Sequence, residues 1–133
     1  MISTLSELLD KLARLEPDVP LTFAGPKGAT QGDWHVTRMT LAARRHVDCD
    51  GSLSRDDEAV LELLDGRCGA PMPAERFAAI ARRSVAALPG LAEAPLRIAH
   101  RSARLRPAAL DGSMVRMVPE GSACRPAVSC CAA

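Results

Sequence analysis

The chain reads as an α+β protein, with two helices packed on one face of a mostly antiparallel sheet. Three observations carry that reading. Two segments place apolar residues at helical spacing, at 4–15 and 74–88. Several short runs alternate apolar and polar residues. Both helical segments precede such runs, an order that raises a weak internal duplication of helix-then-strands.

In the first helix Leu5, Leu8, Leu9, Leu12 and Leu15 fall on one stripe, and Thr4 with Glu7 three residues on has the form of a capping box. Pro17 and Pro20 bracket its exit. Residues 20–24 form a short strand, followed by a turn around Gly25, Pro26 and Gly28. This turn is no phosphate loop, because Lys27 lies inside it and no Gly-Lys-Ser/Thr follows. Residues 34–47 alternate in part and read as a strand, although the alanines in the middle also suit a helix. The Asp, Gly and Ser content of 48–57 predicts a loop, and 59–66 suits a strand or a short helix equally.

Residues 66–73 have the Gly and Pro density of a connector. The second helix then sets Phe77, Ile80, Ala81, Val85 and Leu88 on one face. Short strands follow at 94–100 and 113–119, with 103–110 adding pairing between them. The predicted organisation is one domain over 1–120 and a cysteine-bearing tail over 121–133.

Composition narrows the function. A chain of 133 residues fits one core. An aromatic content of 2%, without tyrosine, gives no platform for stacking bases, and a net charge of +1 gives no field to draw phosphate backbones or anionic lipid. Nucleic-acid and membrane partners are therefore not expected. No run approaches the roughly 20 apolar residues that span a bilayer, and the N-terminus alternates charge with leucine where a signal peptide is unbroken. The expectation is a cytoplasmic protein, in which an odd set of five cysteines stays reduced.

Three of those thiols, Cys124, Cys130 and Cys131, fall within eight residues. Thiolates are the soft donors that zinc and trivalent arsenic select. No Cys-x-x-Cys pair occurs, so the spacing leaves an unstructured tail with free thiols as the alternative. Cys49 and His35 are candidate contributors from the body if the strand returns to bring them together. A lone histidine in a strand is more often a hydrogen-bonded structural residue than a ligand. Cys68, in the connector, reads as a bystander, and His46 and His100 have no comparable context.

Residues 46–57 partly match a calcium loop through Asp48, Asp50, Gly51 and Ser54, but His46 and Asp57 stand where the first and last ligands belong. A Cys49 nucleophile with His35 or His46 as base is opposed by Asp48 and Asp50, which would raise the thiol's pKa. An enzyme is thus the secondary reading. The paired arginines at 44–45 and 82–83 and the series Arg97, Arg101, Arg104 and Arg106 read as solvated faces.

The motifs GDWHVTRM, HVDCDG, MPAERFAAI and the terminal ACRP…CC, in this order, resemble an uncharacterised bacterial domain-of-unknown-function family over roughly residues 5 to 131. Its members combine a His-Val-Thr strand, a Val-Asp-Cys-Gly-like turn, a mid-chain helix and a C-terminal Cys…Cys-Cys. They are often encoded near arsenic-resistance-type regulators. The resemblance falls on His35, Val36 and Thr37, on Asp48 and Cys49, and on Cys124, Cys130 and Cys131; it implies metal or metalloid handling. Asp50 replaces a usual glycine and Arg38 a usual acid, which puts in doubt an acidic partner beside His35.

The leading expectation is a thiolate site for zinc or a trivalent metalloid. A zinc site would draw on His35 with Cys49, Cys124, Cys130 and Cys131, whereas arsenic would use three thiolates and omit His35. A protein–protein interaction module with an unligated tail is the alternative; a thiol redox enzyme is the third.

Overall fold

A computed structural model describes residues 2–26, 34–65, 72–101 and 103–120. Helix α1 spans Leu5–Leu12, with Leu5, Leu8 and Leu12 buried. The Glu7 N–H donates to Thr4 Oγ1 at 3.2 Å, and the Glu7 carboxylate accepts from the Ser3 N–H at 3.0 Å. This is a capping box displaced by one residue on its return arm. The helix stops at Leu12 rather than Leu15, and Leu15 packs partly against the core from the turn beyond.

Helix α2 spans Ala74–Ala87 and buries Ala74, Phe77, Ala78 and Ala81. Pro73 at its N-cap offers no side-chain acceptor. The Ala74 and Glu75 N–H groups instead donate to the carbonyls of Val19 and Pro17 at 2.8 and 3.0 Å. The proline-bearing exit of α1 thus satisfies the orphan donors of α2 and ties the two helices together.

Among the described residues six strands form one sheet: β1 (Thr22–Ala24), β2 (Trp34–Val47), β3 (Leu53–Asp65), β4 (Leu96–His100), β5 (Ala103–Asp111) and β6 (Met114–Pro119). Their order is β1-β6-β5-β4-β3-β2. The β2–β3, β4–β5 and β5–β6 pairs are antiparallel, while β1–β6 and β3–β4 are parallel. The sheet is therefore mixed. The parallel β3–β4 pair follows from inserting α2 between them, since parallel strands need a crossover. Helix then three strands occurs twice in chain order, but β1 lies at the far edge from β2 and β3, whereas β4, β5 and β6 are contiguous.

One sheet face carries the core. Leu61, Leu63, Leu96, Ile98, Leu105, Val115 and Met117 are buried with Phe23 and Phe77, whose ring centroids lie 6.3 Å apart. The alternate residues of the same strands, among them Glu58, Glu62, Arg97, Arg104 and Arg116, point to the other face.

The stretch expected to loop over 48–57 is half strand: β3 begins at Leu53, and 48–52 turn. The pairing of β3 with β4 starts at Ala59, so 43–47 and 53–57 pair only with each other and form a two-stranded arm beyond the sheet. An arm with solvent on both faces needs no apolar alternation, which is why its polar sequence resembled a loop. Its end exposes Val47 and Leu53, at 73% and 79%. The ambiguous stretch 59–66 is strand through Asp65.

Candidate functional site

The open sheet face carries a continuous line of charge. Glu58 is 2% exposed and sits between two arginines. Arg104 Nη2 donates to Glu58 Oε1, and Arg44 Nη1 lies 3.1 Å from Oε2. This second contact is an ion pair without hydrogen-bond geometry, so Oε2 is buried and accepts no hydrogen bond. Arg44 Nε also donates to Asp56 at 3.2 Å, and His46 Nε2 lies 3.2 Å from the same oxygen. At the other end Glu120 accepts from Arg97 Nε at 2.9 Å and Arg104 Nε at 2.8 Å. Strand alternation puts all seven side chains on one face.

Glu120 follows β6 directly, so these bonds pin the end of that strand to β4 and β5. The hydrogen bonds from Arg104 and then Arg97 hold its carboxyl at about 2, against an ordinary 4.5, while burial works the other way. A carboxyl depressed by folding contributes stability that is complete above about 4.5 and disappears as pH falls toward about 2. Wild type should therefore lose more of its urea-unfolding midpoint than Glu120→Gln between pH 5 and pH 2; parallel pH profiles would refute the anchoring role of Glu120.

The structure separates the two body candidates. His35 lies at the start of β2, opposite Leu64, while Cys49 lies in the turn past its other end. At about 3.3 Å per residue the intervening strand holds them roughly 40 Å apart, so they do not meet within one molecule. Cys49 is a free, exposed thiol. Its turn is closed by Asp48 N–H to the Ser52 carbonyl at 2.9 Å, and Ser52 donates its N–H and hydroxyl to Asp50. These bonds lower the Asp50 pKa. Gly51, at φ +87°, takes the left-handed position, and Asp50 is not among the residues at positive φ. An aspartate at 50 therefore costs no backbone strain.

This turn also disposes of the calcium reading. Residues 53–57 are strand, and the Asp56 carboxylate is engaged by Arg44 and His46. The same contact directs His46 to Asp56, which gives Cys49 no base from that residue. Among the described residues no three His, Cys, Asp or Glu side chains group to hold a metal ion. Cys68, Cys124, Cys130 and Cys131 lie outside the described residues.

Register across the sheet places the end of β6 relative to these positions. Pro119, Leu105, Ile98, Leu61 and Met39 form one row from β6 to β2. Strand β6 runs toward the end where β2 begins, the end of His35, and stops at this row. The arm and Cys49 are at the opposite end. Sequence reasoning took the arginines as separate solvated faces and missed their convergence on Glu58 and Glu120. The signal was there: Arg38, Arg44, Asp56, Glu58 and Glu62 have the parity of one face once β2 and β3 are paired.

The fold and this face define a two-layer α+β protein with both helices on one side of the sheet. No family model matches the chain, and neither the curated proteins nor the solved structures contain a match. Among the described residues no helix is long and apolar enough to cross a membrane.

Proposed function

We propose that this chain is a small cytoplasmic protein that binds a soft metal or metalloid ion through Cys124, Cys130 and Cys131, in a role in metal or metalloid handling. The observation that carries the proposal is three thiols within eight residues, following directly on a carboxylate anchored by two arginines. A reducing compartment keeps these thiols available as thiolate ligands.

Chain reach supports one ligand set over the other. Four residues extend at most about 14 Å, so an ion held by Cys124 lies close to Glu120. Cys49, at the far end of the arm, is then out of reach of that ion within one molecule. His35 is at the nearer end but four strands away from β6. This favours three tail thiolates, the set that suits trivalent arsenic, over a four-ligand zinc site that includes Cys49 and His35. The test is arsenite and zinc titration of the reduced protein and its single Cys→Ser variants. Cys124→Ser should lose at least tenfold in arsenite affinity and Cys49→Ser should bind as wild type; equal effects of the two would reject the tail site.

A protein–protein interaction role is the second reading, favoured by the projecting arm with Val47 and Leu53 exposed at its end. It predicts that replacing the tail cysteines leaves partner binding unchanged.

A further inference from the structure

Among the described residues strand β2 is an outer edge of the sheet, and it runs for 14 residues, Trp34–Val47. The other edge, β1, has only three. A long edge presents a row of unpaired backbone donors and acceptors that templates pairing with another chain, and proteins blunt such edges with charged side chains (lysine above all), proline, bulges or shortness. β2 has neither lysine nor proline. Its irregularity is a bulge at Thr37, next to its start.

We infer that β2 pairs antiparallel with β2 of a second copy, about a two-fold axis at Thr40, to give one continuous twelve-stranded sheet. The strand is self-complementary in this register. Thr40 faces Thr40, Met39 faces Leu41, Arg38 faces Ala42 and, with Thr37 bulged, Val36 faces Ala43. No arginine meets an arginine. Moving the axis by one residue to Leu41 would set Arg38 against Arg44, a like-charge pair that disfavours the ladder.

Side-chain parity agrees. Val36, Met39 and Leu41 lie on the helix side and are only partly buried against the core, so the second copy covers their exposed parts. On the open face, Arg38 and Arg44 are met by Glu62 and by Asp56 and Glu58 of their own hairpin, so the two edges approach without net repulsion from those groups. An isologous contact of this kind closes as a dimer, because each copy's free edge is consumed. Antiparallel pairing also sets the Cys49 turn of each copy toward the His35 end of the other. The gap of roughly 40 Å within a chain falls to about 15 Å between chains at the same rise per residue.

The test is sedimentation equilibrium of the full chain in reductant and chelator, so that neither disulfides nor bridging ions hold copies together. The result expected for wild type is twice the 14.1 kDa chain mass. Thr40 meets itself, so Thr40→Lys and Thr40→Glu should each sediment as monomers with unchanged circular dichroism, and an equimolar mixture of the two should regain the dimer mass. A measurement on wild type alone adds to this: amide exchange over 38–43 should slow as protein concentration rises. A monomeric wild type at about 100 μM, a dimer that survives both substitutions, or exchange independent of concentration would each overturn the inference.

Discussion

Phe77→Ala is expected to lower the unfolding free energy by about 4 kcal/mol, within the range of about 3 to 5 for a fully buried phenylalanine. Phe77 has no exposed surface, and its ring meets Phe23 of β1, so it joins α2 to the strand at the far edge from β2. The loss combines the transfer of the ring with a cavity that the surrounding leucines fill only in part. Domains of this kind are stable by about 5 to 15 kcal/mol, so the variant sits near the limit of folding. Urea unfolding followed by circular dichroism measures the shift. Leu53→Thr on the arm, with its side chain already in solvent, should move the same midpoint by less than about 0.5 kcal/mol. Equal effects at the two positions would mean that the core is not where the structure puts it.

The second large effect is at Glu58. Glu58→Gln is expected to destabilise by about 2 kcal/mol, between the 3 to 5 of breaking a fully buried ion pair and the 0 to 1 of a surface pair. The intermediate figure follows from asymmetric burial: the carboxylate side chain is 3% exposed, whereas those of Arg44 and Arg104 are 38% and 42% exposed and regain water when their partner goes. In a double-mutant cycle with Arg104→Met, the pair should couple by about 1 kcal/mol, since groups that share a network are not additive. Additive losses would show that Glu58 and Arg104 contribute independently.

The elements with a buried face were legible in the sequence. Both helices came from the leucine stripe of α1 and from Phe77 and Ala81 of α2, because periodicity records which side meets the core. Strands β4, β5 and β6 were found for the same reason. Two features were hidden. The return strand of the arm, 53–57, has no buried side and so leaves no alternation, and a polar Asp-Gly-Ser run covers both the turn and this start of β3, whereas the outgoing strand over 34–47 was legible. The parallel pairs and the strand order depend on contacts remote in sequence, which local pattern does not encode.

The candidate site divides along the same line. His35 and Cys49 are near in sequence and both belong to the family resemblance, yet a continuous strand separates them at its two ends. That separation is a property of β2 being extended, and the alternative helical reading of its alanine-rich middle would have brought them closer. The network through Glu58 and Glu120 was missed because its members come from β2, β3, β4, β5 and the end of β6, each with one or two charges.

One ion held by the tail thiols is the proposal on which the metal-handling role depends. Native mass spectrometry of the reduced protein, with and without arsenite and Zn²⁺, beside a Cys130→Ser, Cys131→Ser variant, tests it most directly. The expected result is one ion per chain in the wild type, with arsenite retained more strongly than zinc, and no stoichiometric adduct in the variant. A wild type with intact thiols that takes up neither ion, or a variant that binds as well as wild type, would contradict it.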